Sequence, residues 1–267
     1  MIITAGNQGY VLKELNQQLL MAVVQYLQAN PDEIFHIPHI CTSVAELRID
    51  QVGRENIRIH AADENSPVIE NAVEHNLKNL IGKVSMSRPL VLSMALRSIS
   101  WVSRRIKKLR VLTIGPRTEA EIFMLIACGF DPANIKGLDL ISYSDFIETG
   151  DMHQMPFEDD SFDVIILGWV LAYSDDPARA ASEVMRVAAP DAVIAVGCAY
   201  TPFSEEELMA QGSLVAHGGK YNSADDILRL FEDQVARVYL RDEIHPDDRE
   251  ESDGIKVIFQ LKGPSDS

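Results

Sequence analysis

Short apolar segments alternate with helical segments through the middle of the chain, and this alternation limits the possible folds more than any other feature. The apolar segments are residues 110–114, 135–139, 162–168 and 192–198. Segments with helical spacing of their apolar residues separate most of them, as in strands that are joined by crossover helices. The pattern predicts an α/β fold with a doubly wound, mostly parallel sheet.

The two ends of the chain do not follow this alternation. Two β-rich runs, residues 236–244 and 254–262, are separated by an acidic loop and are expected to pair antiparallel. Before residue 108, helices are expected over residues 12–27, 67–81 and 87–106. We therefore predict a mainly helical N-terminal region, residues 1–107, and an α/β domain, residues 108–267.

Composition limits the classes of function. The 267 residues include 24 Lys and Arg against 40 Asp and Glu, which gives a formal net charge of −16. Because this charge repels a polyphosphate backbone, no nucleic-acid partner is expected. No apolar run reaches the roughly 18 residues that a bilayer span needs, and the wide spacing of the cysteines favours reduced thiols. We expect a cytoplasmic protein without a membrane partner, and no metal, since the histidines lack metal-site spacing.

A buried strand, a tight turn and a helix start follow one another around Gly115. Pro116 and Arg117 continue the turn, and Thr118 and Glu121 have the spacing of a capping box. The carboxyl end of a strand in a doubly wound sheet is where a nucleotide-like ligand crosses. An ordinary strand-to-helix connection is the alternative interpretation.

Asp139 ends the second apolar strand, 24 positions after Gly115. An acid at this place can accept hydrogen bonds from ribose hydroxyls, and Leu140 beside it is assigned to the same pocket. A helix or turn cap is the alternative role for Asp139. Twelve positions separate Asp139 from Asp151, so we expect a shortened crossover between the second and third strands.

The segment from Gly150 to Ile166, GDMHQMPFEDDSFDVII, contains an acid, a proline turn and a buried strand in that order. It resembles class I S-adenosylmethionine-dependent methyltransferases of the type 11-like group, and the resemblance covers roughly residues 108–200. It implies a Rossmann-like fold, S-adenosylmethionine as the cofactor and methyl transfer as the reaction. It also implies that Asp151 accepts the adenine amine and that the backbone N–H of Met152 reaches a ring nitrogen.

The resemblance assigns further residues to the site. Gly168 and Trp169 follow the fourth strand, where the family places residues between methyl donor and acceptor, although Trp169 can equally be a core residue. His153 and Tyr173 are candidate catalytic side chains, with local hydrogen bonding as the alternative for His153. The loop over residues 211–221 is a candidate cover of the acceptor, or a plain surface loop.

The chain departs from the family in its turn. The family pattern is G-x-G-x-G, whereas here only Gly115 is kept, followed by Pro116 and Arg117. These three residues are nevertheless assigned to the cofactor site.

Three functions remain open at this point. The predicted one is S-adenosylmethionine-dependent methyl transfer to a small-molecule acceptor, by a chain that can form a homodimer. The second is a non-catalytic cofactor-binding or regulatory module on the same fold. The third is an NAD(P)-dependent oxidoreductase with Asp139 on the ribose. Pro116 removes a backbone N–H, and Glu119 and Glu121 add negative charge, so a pyrophosphate is disfavoured at this helix start.

Overall fold

The computed structural model describes most of the chain, and the statements below concern this part. It covers residues 3–6, 9–12, 17–31, 33, 37–60, 67–80, 87–204, 206–207, 221–245, 247 and 253–263. The predicted cover loop falls outside the described residues except for Tyr221. None of the helices described is both long and apolar enough to cross a bilayer.

Seven strands of the described chain form one sheet. They are β4 (Val111–Ile114), β5 (Ile135–Asp139), β7 (Ile147–Thr149), β8 (Phe162–Gly168), β9 (Ala188–Tyr200), β10 (Val235–Asp242) and β11 (Asp253–Leu261). Their order is β10-β11-β9-β8-β4-β5-β7. The five strands from β9 to β7 pair in parallel, and β11 and β10 add antiparallel to β9. The predicted Rossmann-like doubly wound sheet and its antiparallel C-terminal strands are confirmed.

Four further strands form two small pairs. They are β1 (Ile3–Gly6), β2 (Gly9–Leu12), β3 (Arg58–Ile59) and β6 (Ile141–Ser142). β1 and β2 form an antiparallel hairpin that the sequence reading missed, and β3 pairs antiparallel with β6. The connection from β5 to β7 holds only β6 and turns, so the expected shortened crossover is confirmed.

Helices in the described residues flank the sheet and make up much of the N-terminal region. They are α1 (Gln17–Ala29), α2 (Pro38–Val52), α3 (Pro67–Leu80), α4 (Ser87–Ser98), α5 (Ser100–Ser103), α6 (Glu119–Ala127), α7 (Pro177–Val187) and α8 (Ala224–Leu228). The predicted helix over residues 87–106 is wrong in its C-terminal half, because Ile99 is extended (ψ 121°) and divides it into α4 and α5. α2 was not predicted.

The two faces of the sheet carry separate apolar cores. Leu112, Ile165 and Ile194 belong to the core that includes α7 and α8, while Val111 and Val164 belong to the core under α4 and α6. Neighbours along each strand therefore point to opposite faces, which explains the nearly continuous apolar runs of the parallel strands.

The helix α2 packs against α6. Cys41 and Ala45 on α2 are fully buried and share a cluster with Phe123 and Met124 of α6. Burial of apolar side chains is worth roughly 25 cal/mol per Å² of surface removed from water. The α2 contact thus fixes this helix beside the start of α6, where the predicted cofactor turn lies.

Candidate functional site

The candidate site lies at the carboxyl ends of β4, β5, β7 and β8. β4 occupies the middle, with β5 on one side and β8 on the other. The carboxyl end of β4 is thus the switch point of the sheet, where doubly wound folds form their ligand crevice. Most of the residues assigned from the sequence follow these strand ends.

Gly115 makes the turn between β4 and α6. Its φ is 74°, and a Cβ at this position would lie 2.6 Å from Val170 Cγ2. Its N–H donates to Leu138 O over 2.8 Å. Glycine is required here because the backbone is left-handed and the Val170 side chain leaves no space.

Arg117 and Asp139 join this turn to the end of β5. Arg117 has a φ of 53°, and its backbone N–H donates to Asp139 Oδ2 over 2.8 Å. Asp139 Oδ1 accepts from the Ile141 N–H over 3.2 Å. Burial raises the pKa of Asp139, although these N–H groups oppose the shift.

Asn76 on α3 also reaches Asp139. Its side-chain amide donates to Asp139 Oδ1 over 3.0 Å. Asp139 is 4% exposed, and Asn76 brings α3 against its carboxylate. Leu140, the next residue, is partly buried, and its carbonyl accepts from the His60 N–H over 2.8 Å.

Asp151 follows β7 and lies near Asp139, since the Gly150 N–H donates to Asp139 O over 3.0 Å. Asp151 Oδ1 accepts from the His153 backbone N–H and lies 2.6 Å from His153 Nδ1. His153 Nε2 lies 2.6 Å from Ser174 Oγ. Both ring nitrogens of His153 are therefore engaged in one Asp-His-Ser chain.

The pKa values of this pair move in opposite directions. Its hydrogen bond to Asp151 raises the pKa of His153 against the opposing effect of burial. Burial resists ionisation of Asp151, but the hydrogen bonds from His153 hold its pKa below the usual value. The ion pair is favoured, and Asp151 Oδ2 accepts no hydrogen bond from the described residues.

Arg186 on α7 holds the proline turn that follows Asp151. Its guanidinium donates to the carbonyls of Met155 and Phe157 over 3.1 and 2.8 Å. It also pairs with Glu183, which accepts from the Met155 N–H over 2.8 Å. The turn between β7 and β8 is thereby tied to α7, which keeps Asp151 at the edge of the crevice.

Two acids from the start of α6 are buried beneath the turn. Glu119 is fully buried and accepts a bidentate pair of hydrogen bonds from Arg48 of α2 and one from Ser144. Glu121 is 7% exposed and accepts from the Thr113 hydroxyl. The predicted capping box is wrong, because Thr118 accepts from the Ala120 N–H while Glu121 turns towards β4.

Gly168 ends β8 and Trp169 follows it, but their surroundings differ. A Cβ at Gly168 would lie 3.0 Å from Glu121 Oε2, so Gly168 faces the turn. Trp169 packs against Gly197 of β9 and Gly254 of β11, and Arg88 lies 5.3 Å from its ring centroid. The indole therefore lies on the β9 side of β8, away from β4 and β5.

Tyr173 lies beyond Trp169 in a short 3-10 turn, Leu171–Tyr173. Its ring centroid is 5.7 Å from that of His75 on α3. Burial lowers the pKa of His75, and the nearby positive charge of Arg117 adds to the effect. His75 therefore favours its neutral form.

Sequence reasoning missed the contribution of α2 and α3. Arg48, His75 and Asn76 are side chains of helices far from the turn in the sequence, and no motif marks them. The acids at positions 119 and 121 offered the only signal, because a buried carboxylate requires a partner.

Comparison with known proteins gives one family match. Residues 129–196 match the family model for a methyltransferase domain. A search of curated proteins found no match. The matched segment includes Asp139, Asp151 and the end of β8.

Several solved structures are similar at low identity. An arsenic(III) S-adenosylmethionine methyltransferase from Chlamydomonas reinhardtii is 21% identical, with a TM-score of 0.41 over 65% of this chain and 74% of the other. The trans-methyltransferase CalH in complex with S-adenosylhomocysteine is 15% identical, with a TM-score of 0.48 over 73% and 63%. An S-adenosylmethionine-dependent methyltransferase from Mesorhizobium loti is 17% identical, with a TM-score of 0.44 over 58% and 92%.

The strand order, with β4 between β5 and β8, is that of a doubly wound sheet with its crevice at the matched segment. Residues 129–196 of this fold are therefore similar to a methyltransferase domain.

Proposed function

We propose that the chain transfers the methyl group of S-adenosylmethionine to a small-molecule acceptor, and that Asp139 and Asp151 hold the adenosine half of the cofactor. The observation that carries the proposal is the position of these two carboxylates. They follow the adjacent strands β5 and β7 and are linked through the Gly150 N–H and Asp139 O. Hydroxyls and an exocyclic amine are donors that carboxylates bind.

The residues fit this cofactor chemically. Asp151 keeps Oδ2 for a donor, and no hydrogen bond from Met152 N–H to a described residue competes with a ring nitrogen. Asp139 Oδ1 is shared with Asn76, whose amide would yield to a ribose hydroxyl. The buried carboxylates Glu119, Glu121 and Asp139 suit a ligand with cationic groups better than one with a phosphate.

The bound cofactor would supply a methyl group on a positively charged sulfur. The protein residues contribute by positioning and by excluding water. His153 is assigned a positioning role, because its ring nitrogens are engaged by Asp151 and Ser174. Tyr173 and neutral His75 are assigned to the acceptor side, where either could accept or relay a proton.

The assignment of the remaining predicted residues follows from their surroundings. Gly115, Pro116 and Arg117 form the wall beneath the cofactor, and Leu140 borders the ribose end. Gly168 is assigned to the methionine end. Trp169 is assigned to packing at the β9 side of the crevice.

The negative net charge of the chain supports a small molecule as the acceptor. The formal net charge of −16 disfavours RNA or DNA as the acceptor. We also propose that residues 1–107 shape the acceptor pocket, since Asn76 and His75 reach the crevice from α3.

A second candidate function rests on a specific observation. Asn76 occupies Asp139, and two glycine positions of the family turn carry Arg117 and Glu119. A cofactor-binding or regulatory module without turnover would have the same features. An NAD(P)-dependent oxidoreductase is disfavoured, because Glu119, Glu121 and Asp139 would surround a pyrophosphate with acids.

The test is isothermal titration of S-adenosylmethionine and S-adenosylhomocysteine into the parent protein, Asp139→Asn and Asp151→Asn. Asp160→Asn is the matched control, because Asp160 is exposed in the same acidic segment. We expect binding by the parent and the control, and at least a tenfold loss in the two site variants. Absence of binding by the parent would overturn the cofactor assignment.

Turnover is tested separately with S-adenosylmethionine carrying a labelled methyl group. Label recovered in small metabolites supports the proposal. Label recovered only in RNA or protein would overturn the acceptor class, and binding without any transfer would favour the regulatory module.

A further inference from the structure

We infer that Glu121 is the carboxylate that binds the cofactor's α-ammonium group, a role that rests on the proposed function and extends it to the methionine end. The family match does not assign Glu121, because it begins at residue 129.

The direction of the cofactor across the sheet points to Glu121. Asp151 follows β7 and Asp139 follows β5, so the adenine and ribose ends are assigned to that side. The rest of the molecule must then extend towards β4 and β8. Glu121 lies there, because it bonds Thr113 of β4 and would contact a Cβ on Gly168 of β8.

Glu121 lacks a cationic partner among the described residues. Its Oε1 accepts from Thr113, whereas its Oε2 accepts no hydrogen bond and makes no ion pair there. Glu119, two residues earlier, has a guanidinium partner in Arg48. A carboxylate that is 7% exposed and unpaired is unfavourable in its charged form.

The electrostatics of the free protein agree with this assignment. Burial, with the negative charge of Asp139 as a second cause, raises the pKa of Glu121 to about 8. A nearby ammonium group would favour the ionised form and lower this pKa. Gly168 leaves Oε2 room on the crevice side, because it has no side chain.

The test compares a ligand that contains the amino-acid portion of the cofactor with a ligand that lacks it. S-adenosylhomocysteine has the α-ammonium group, and 5′-methylthioadenosine has the same adenosine and sulfur without it. Both are titrated calorimetrically into the parent, Glu121→Gln and Glu148→Gln. Gln keeps the acceptor for Thr113 but cannot become charged, and Glu148 is an exposed control on β7.

We expect Glu121→Gln to weaken S-adenosylhomocysteine at least tenfold and to leave 5′-methylthioadenosine within twofold of the parent. Equal weakening of both ligands, or no weakening of either, would overturn the inference. If the parent binds neither ligand, the proposed function itself fails.

Glu121→Asp provides a second variant in case Gln disturbs the fold. The shorter carboxylate keeps its charge but lies further from Gly168, so an intermediate loss of S-adenosylhomocysteine affinity is expected. Affinity that is unchanged in Glu121→Asp but lost in Glu121→Gln supports charge as the cause. Loss of 5′-methylthioadenosine binding in either variant contradicts it.

Discussion

Asn76 Nδ2 on α3 lies 3.0 Å from Asp139 Oδ1, so a helix of the N-terminal region binds the carboxylate proposed for the ribose. If a ribose hydroxyl replaces this amide, the free protein must first break the Asn76 bond. The net contribution of such a hydrogen bond is about 1 kcal/mol, which corresponds to about fivefold in affinity.

Asn76→Ala is therefore expected to raise the affinity for S-adenosylhomocysteine by up to about fivefold. Titration calorimetry measures the effect. Lys78→Ala on the same helix is the control, since Lys78 forms only an exposed pair with Glu74 among the described residues. A lower affinity in Asn76→Ala would instead mean that Asn76 binds the ligand.

The Asp151–His153 pair predicts a pH-dependent stability. The pKa of His153 is raised above its ordinary 6.5, so its contribution is complete below pH 6.5 and is lost as pH rises through the higher folded value. The pKa of Asp151 is lowered below 3.8, so its contribution is complete above that pH and is lost as pH falls through the lower folded value. Both contributions are present between these limits.

His153→Asn should thus cost about 1 to 2 kcal/mol of unfolding free energy near pH 5.5 and less near pH 9. Denaturant unfolding at several pH values measures the difference. His245→Asn is the control, because His245 is 66% exposed. A pH-independent loss in His153→Asn would contradict the ion pair.

The Arg48–Glu119 pair predicts a loss of stability when Arg48 on α2 is removed. Glu119 is fully buried, and Arg48→Ala leaves its charge with hydrogen bonds but no cation. Because the Arg48 side chain is half exposed, the expected cost is that of removing one partner from a buried acceptor, about 1 to 3 kcal/mol. Thermal and urea unfolding should show this loss, whereas Lys78→Ala should change stability by less than about 1 kcal/mol. Equal effects of the two variants would exclude a structural role for the pair.

Periodicity predicted the sheet well, because buried parallel strands are continuous apolar runs whatever they later bind. β4, β5 and β8 begin within one residue of the predicted positions. The short crossover after Asp139 followed from chain length alone. These features depend on local sequence, which is why they could be predicted.

The neighbours of the site could not be predicted in the same way. Asn76 and Asp139 are 63 positions apart, and Arg48 and Glu119 are 71 apart. Such contacts depend on how α2 and α3 pack against α6 and β6. The acids at positions 119 and 121 indicate that partners are needed but not which residues supply them. The capping box was wrong for a related reason, since Glu121 bonds Thr113 across the turn.

The variant Glu121→Gln, which is expected to lose affinity for S-adenosylhomocysteine, is also expected to gain stability. The pKa of Glu121 is raised to about 8 from 4.5, so the folded state holds a proton that the unfolded state releases. Stability therefore falls as pH rises from about 4.5 to about 8. Glu121→Gln stays neutral, so its melting temperature relative to the parent should increase across this range. If the melting temperatures of the two proteins differ by the same amount at every pH in this range, the raised pKa of Glu121 is contradicted.

Gly115 and Val170 predict a coupled pair of substitutions. Gly115→Ala adds a Cβ that would lie 2.6 Å from Val170 Cγ2 on a backbone with a φ of 74°. The left-handed backbone costs about 1 kcal/mol for a non-glycine residue, and the overlap adds about 1 to 3 kcal/mol. In the Gly115→Ala background, Val170→Ala should remove the cost of the overlap but not the cost of the left-handed backbone.

The measurement is a double-mutant cycle of unfolding free energies. Gly129→Ala is the control, because Gly129 has a φ of 104° but its added Cβ would meet Ile106 Cδ1 at an ordinary 3.6 Å. Gly115→Ala should be the more destabilising variant, and the cycle should give a coupling of at least about 1 kcal/mol in favour of the double variant. Strictly additive effects would mean that Val170 moves aside without cost. The close approach of β4 and β8 would then not explain why this turn requires glycine.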